Sequence, residues 1–156
     1  METTLVIIKP DAVQRRLIGE TIARFERRGL FLRAMKFTRL SRGLVERQYE
    51  VHRGKPFFEP LVNFMISGPV VLMAVSGQKA IAVVRSMLGA TACADSAPGS
   101  LRGDLGLSNR FNLVHASDSL EAAERELALF FAPQELFDWT PDDYRWVIDR
   151  STGTPV

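Results

Sequence analysis

The chain has 156 residues, 46% of them apolar and 24% charged, the proportions of one globular domain, which excludes a collagen-like, disordered or coiled-coil chain. A net charge of +2 is too small to argue for a protein that grips a phosphate backbone, although the pI of about 9.0 suits small anionic ligands. The single cysteine, Cys93, excludes an internal disulfide and a Cys-based zinc site, and no apolar run approaches the ~18 residues of a membrane span, so a reducing cytoplasm is the expected location.

Thr4 to Ile8 reads as a strand that stops at Lys9-Pro10-Asp11, a turn or helix-start signal. Ile18, Ile22 and Phe25 recur at helical spacing between Glu20, Arg24, Arg27 and Arg28, which predicts an amphipathic helix ended by Gly29. Phe31 to Leu40 reads as a second strand, Leu44 to His52 and Phe58 to Ile66 as helices, Pro69 to Val75 as a buried third strand, and Gln78 to Leu88 as a helix. Gly89 to Gly106 lacks an apolar period and reads as a long functional loop. Phe111 to Val114 reads as a short fourth strand, and Asp118-Ser119-Leu120-Glu121 resembles a capping box opening a helix that runs to about Phe131. Beyond Pro133 the tail carries Phe137, Trp139, Tyr144 and Trp146, which suit a subunit contact or a fold-back on the chain's own surface, and Ser151 to Val156 is expected to fray. The natural division is a domain over residues 1–140 and a tail over 141–156, partly docked on the domain or on a neighbouring subunit. This element order fits either a doubly wound parallel sheet or a βαββαβ arrangement with a four-stranded antiparallel sheet and helices on one face.

The sharpest chemical signal is His115, at the end of a short strand and just before a helix start, where backbone N–H groups and the positive helix end favour anions. A helix starting near Ser119 puts Ala123 and Glu126 on one face with it, so Glu126 can reach back to the imidazole and fix its tautomer. Arg85, Thr91 and Arg102 lie in or near the glycine-rich loop, and guanidinium groups hold phosphate oxygens bidentately. No G-x-x-x-x-G-K-[ST] occurs, so phosphoryl transfer through a P-loop is excluded.

Five separated segments, Ile8-Lys9-Pro10-Asp11-Ala12-Val13, Lys55-Pro56-Phe57-Phe58, Ser67-Gly68-Pro69-Val70, Pro98 to Asp104 and Asn112 to Ser119, together resemble nucleoside diphosphate kinase over about residues 3 to 140. The resemblance implies a ferredoxin-like α/β sandwich with an antiparallel βαββαβ sheet rather than a doubly wound one. It also implies transfer of the γ-phosphate of a nucleoside triphosphate to a nucleoside diphosphate, by a ping-pong route through a phosphohistidine at His115, with maintenance of nucleoside triphosphate pools as its outcome. Lys9 and Asn112 match residues that hold the ribose and approach the transferring phosphate, and Tyr49 one that lies close to the histidine. Arg85, Thr91 and Arg102 match the phosphate clamp, and Glu126 the carboxylate that orients the imidazole. Phe57 matches the aromatic under the base, with Leu61 beside it, and stacking of that kind tolerates every base.

Mg²⁺ would arrive with the nucleotide and need no dedicated protein ligand. The resemblance further implies a homo-oligomer, and the long tail favours a hexamer over a tetramer. Cys93, Ser100 and Asn109 depart from the family's usual residues. A βαββαβ fold with a basic pI also describes an RNA-recognition module, but Leu5 to Ile8 and Val70 to Val75 show no aromatic on which a base could stack, so no dedicated nucleic-acid role is expected, nor a membrane one. An inactive relative is disfavoured because the whole catalytic set is present.

Overall fold

Unbroken apolar runs in Leu5–Ile8 and Val70–Val75 leave two strands with no polar face to give to water. In the computed structural model, which describes residues 1–149, they become the central strands of one sheet. Strand β1 (Glu2–Ile8) pairs with β3 (Val70–Gly77), β3 with β2 (Phe31–Thr38), and β1 with β4 (Val114–Ala116), giving the order β2-β3-β1-β4. All three pairings are antiparallel, as the ferredoxin-like arrangement requires, so the doubly wound alternative fails.

Helices cover both faces of the sheet, not one. Leu5 and Ile7 pack in one core with residues of α3 (Arg42–Gln48), α4 (Phe58–Met65) and α7 (Leu120–Phe130). Val6 and Ile8 pack in the other, with residues of α1 (Pro10–Gln14), α2 (Ile18–Arg27), α5 (Ala80–Leu88) and α6 (Leu101–Leu105). The reason lies in β1 itself: Leu5, Val6, Ile7 and Ile8 are all fully buried, and each large side chain taken from water contributes about 1.5–3 kcal/mol, which neither face could forgo.

Several boundaries differ from the sequence expectation. The turn after β1 closes into α1, because Pro10 is pre-set for a first helical position. The helix expected to reach His52 ends at Gln48, followed by a 3₁₀ turn over Glu50–His52. The long loop contains a 3₁₀ turn at Cys93–Asp95 and the short helix α6. Strand β4 starts at Val114, not Phe111, because Leu113 has φ +74° and breaks the extended chain. His115 is therefore the middle residue of β4, opposite Ile7, rather than lying at a strand end. Helix α7 is capped by Ser119, whose hydroxyl accepts from the Ala122 N–H at 3.1 Å, and not by Asp118.

The tail returns to its own domain at a bulge in β2 between Leu32 and Ala34. There Phe137 N–H donates to Arg33 O at 2.9 Å, and Trp139 Nε1–H donates to Leu32 O at 2.8 Å. Tyr144 is buried against Phe31, and its hydroxyl accepts from Gln78 N–H at 3.0 Å. Phe137 and Trp146 stay exposed. The end expected to fray, Ser151–Val156, lies outside the described residues.

Candidate active site

The carboxyl end of β1 delivers Lys9 into the fold beside the approach to β4. Its backbone N–H donates to Leu113 O at 2.9 Å, and its buried ammonium donates to Asn112 Oδ1 at 2.6 Å. Burial, with the Arg102 charge adding to it, pushes the Lys9 pKa down to about 8, against the opposing pull of Asp11. Asn112 is fixed from its other side as well, Nδ2 donating to Thr91 O at 3.0 Å.

His115 and Glu126 meet as the helix spacing predicts. Their Nε2 and Oε2 atoms lie 3.0 Å apart, on a side chain of α7 that is almost fully buried. Burial alone would raise the Glu126 carboxyl, but hydrogen bonds from His115, Ser117 and Gln48 outweigh it and hold the group below its ordinary range. Ser117 Oγ donates to Oε2 at 2.6 Å. An ionised carboxylate at Nε2 takes the Nε2–H tautomer and leaves Nδ1 with its lone pair. Tyr49 packs edge-on against the imidazole with centroids 6.1 Å apart. Its hydroxyl is buried with no protein partner among the described residues, and burial followed by the Glu126 charge pushes its pKa up, so it remains an O–H donor.

These groups open onto a cleft of about 360 Å³, lined by Lys9, Tyr49, Phe57, Pro60, Leu61, Thr91, Asn109, Arg110, Asn112 and His115. Phe57 is 48% exposed at the cleft, in T-shaped contact with His52 and with the Lys55 ammonium 5.7 Å from its ring centre. The expected phosphate clamp is only partly assembled. Thr91 lines the cleft, whereas Arg85 is exposed, with Nη1 3.4 Å from Ala116 O. Arg102 is buried and spends most of its donors on the backbone: Nε on Asn112 O, Nη1 on Gly89 O and Ala90 O, and Nη2 on Val114 O. It ties the glycine-rich loop to β4, and burial followed by the Arg85 charge lowers its pKa. Of the three departures, Asn109 faces the cleft. Ser100 caps α6 by accepting from Gly103 N–H at 3.0 Å, and Cys93 is buried, with its thiol pKa pushed up by burial.

Sequence reasoning missed Gln48, Ser117, Pro60 and Arg110. Ser117 had a findable signal, since it follows His115 by two residues and alternate residues of an extended chain share a face. Gln48, whose Nε2 lies 3.2 Å from His115 Nε2, had none beyond preceding Tyr49 at a helix end.

Comparison with known proteins gives one consistent result. The family model for nucleoside diphosphate kinase matches residues 2–136. A nucleoside diphosphate kinase of Archaeoglobus fulgidus is 51% identical over 150 residues, covering 96% of this chain and 99% of that protein. One from Pyrococcus furiosus is 53% identical over 142 residues, covering 89% and 88%. Among solved structures, the halophilic nucleoside diphosphate kinase of Halobacterium salinarum in complex with CDP superposes with a TM-score of 0.93 at 46% identity, covering 95% of this chain and 99% of that one. The chain belongs to the nucleoside diphosphate kinase family.

Proposed function

We propose that this enzyme moves the γ-phosphate of a nucleoside triphosphate to a nucleoside diphosphate in two half reactions through His115. The observation that carries the reading is the 3.0 Å contact between His115 Nε2 and the buried Glu126 carboxylate at the wall of the cleft. It leaves Nδ1 as the nucleophile. Nδ1 attacks the γ-phosphorus, the bond from phosphorus to the bridging oxygen breaks, and the diphosphate departs with that electron pair. A terminal oxygen of a second nucleoside diphosphate then attacks the same phosphorus, and the N–P bond breaks to restore the imidazole. The Glu126 charge stabilises the imidazolium-like ring while it carries the phosphoryl group.

Lys9 supplies the buried positive charge for the transferring phosphate, and Asn112 and Thr91 the neutral donors beside it. Arg85 and the one Arg102 proton not committed to a carbonyl complete the phosphate contacts, with Tyr49 donating from its side of the imidazole. Phe57 stacks on the base and Leu61 packs beside it, giving broad tolerance of base and sugar. The polar groups lining the cleft are an ammonium, a guanidinium, amides, hydroxyls and the His115 imidazole, a set that suits phosphate oxygens and offers no carboxylate of the kind Mg²⁺ favours. No side chain of this set is needed to hold Mg²⁺, which would enter with the nucleotide and would supply charge neutralisation there.

In a reducing cytoplasm this activity maintains nucleoside triphosphate pools. Among the described residues no helix is long and apolar enough to cross a membrane. The exposed Phe137 and Trp146 support assembly with further copies. Light scattering is expected to report six copies of the 17.5 kDa chain rather than four. The central test is incubation with γ-labelled ATP, which should leave an acid-labile, base-stable phosphate on the protein that unlabelled GDP removes as GTP. A protein that takes up no label overturns the reading.

A further inference from the structure

Three residues before Ala116, the chain makes a costly turn. Val114 N–H donates to Asn112 O at 2.8 Å, which makes Asn112–Val114 a γ-turn, and the central Leu113 has φ +74°. That is the rare, strained hand of the turn, and for a residue with a Cβ the left-handed region costs roughly 1–2 kcal/mol. Leu113 is neither glycine nor asparagine, and its side chain is buried, so something must hold it there. The hold comes from the turn after β1. Lys9 N–H donates to Leu113 O at 2.9 Å, and Asp11 Oδ2 accepts from Leu113 N–H at 3.0 Å. Both backbone groups of one strained residue are thus gripped by Lys9 and Asp11.

Resting on the transfer reading above, we propose that Asp11 is a positioning residue for the reaction. Its carboxylate clamps Leu113 in the strained turn between Asn112, which accepts from Lys9, and the strand that carries His115, and its charge supports the buried Lys9 ammonium. The second half follows from an apparent extravagance. Asp11 Oδ1 is buried with no hydrogen-bond partner among the described residues, and burial raises the Asp11 pKa, so the carboxylate is an expensive acceptor. A neutral amide could accept from Leu113 N–H equally well. What only the charge adds is an attraction to Lys9, which burial and Arg102 otherwise push toward the neutral form and which Cys93 aids more weakly. Asp11 therefore serves both walls of the cleft at once, as backbone clamp for β4 and as counter-charge for β1.

The two roles separate in two variants of the full chain. In Asp11→Asn the clamp survives and the charge is lost, so the Lys9 titration, followed by ¹³Cε NMR, should move down by roughly half a unit or more. The basic limb of the kcat/KM profile should move with it. In Asp11→Ala both are lost. Leu113 N–H exchange with solvent should then quicken by about tenfold or more, and kcat should fall by about tenfold with a smaller change in KM. Asp11→Asn should recover most of that kcat loss below pH 7.

A Lys9 midpoint unmoved by Asp11→Asn overturns the charge role. Leu113 exchange and kcat unaltered in Asp11→Ala overturn the clamp. Should Asp11→Ala not fold, Asp11→Ser takes its place in the clamp arm, because its hydroxyl is one bond too short to reach Leu113 N–H, and an unchanged Leu113 exchange rate in that variant overturns the clamp. The NMR arms need no turnover, so a parent chain that takes up no phosphate would overturn the transfer reading and leave these two measurements standing.

Discussion

At one end of the cleft, His115, Glu126, Ser117 and Gln48 form a cluster with contacts of 2.6 to 3.2 Å around one buried carboxylate. At the other, Phe57 is 48% exposed and meets its neighbours through ring edges and a passing Lys55 ammonium at 5.7 Å. The first end is over-determined and the second is loose. Over-determination suits a nucleophile that must present one nitrogen along one line, since misplacement by about 1 Å can cost a hundredfold in rate. Looseness suits a slot that must accept more than one base, because a free aromatic face attracts any π-system without reading its edge.

The rigid end should break first and hardest. His115→Gln removes the only side chain given the role of phosphoryl carrier, so labelling from ATP should vanish and turnover should fall by at least about a thousandfold. The fold should persist, since the imidazole is only partly buried and the core residues of β4 around it are unchanged. A variant that still labels would place the phosphoryl carrier elsewhere.

Lys9→Met should come next, with turnover lowered by about a hundredfold and stability raised. The sign follows from its protons. Lys9 has a pKa of about 8 in the fold against 10.5 for an ordinary lysine, so between these values the unfolded chain holds more protons and stability rises with pH. At pH 7 the buried charge costs up to about 3 kcal/mol, which a methionine does not incur. Thermal unfolding should show the parent gaining stability from pH 8 to 10.5 and the variant showing no such gain. An equal gain in both would assign it to another group.

How much of this contrast is legible in the sequence depends on what each feature rests on. The His115–Glu126 pair was readable because helix periodicity places Glu126 on the face of α7 that begins at Ser119. That Phe57 and Lys9 line the cleft was readable through the resemblance. The γ-turn at Leu113 was not, because a leucine between Asn112 and Val114 has the composition of a strand and its positive φ is imposed by Asp11 and Lys9 from about a hundred residues away. Arg102 shows the converse. Its position suggests a phosphate ligand, but four backbone carbonyls reach it first, and carbonyl positions are a property of the fold rather than of the sequence around it. The double cover of the sheet was written in β1 and β3, whose lack of alternation calls for a second layer of helices.

Glu126→Gln keeps the shape of the rigid end and removes its charge, so kcat should drop by roughly ten- to a hundredfold while KM changes little. The depressed carboxyl also stabilises the fold above its ordinary value of 4.5, and that contribution is lost as pH falls below it. The parent should therefore lose stability on acidification through this range more steeply than the variant. Equal acid sensitivity would show that the three donors around this carboxylate add nothing to folding.

The loose end should yield the smallest effects, and in a different kinetic constant. Phe57→Ala removes a stacking face worth about 1–3 kcal/mol per base, so KM should rise by roughly five- to a hundredfold with kcat nearly unchanged, the mark of binding lost equally from ground and transition states. The rise should be similar for ADP, GDP, CDP and UDP, because stacking does not distinguish their edges. In the parent the same four acceptors should react within about tenfold of one another, a spread of 1.4 kcal/mol. Asn109 is the residue that could spoil this. It lines the cleft, and a side-chain amide can pair with a base edge where an apolar residue cannot. A preference beyond tenfold that disappears in Asn109→Ala would show that the slot reads its base after all, and would remove the contrast between a fixed nucleophile and an indifferent base site.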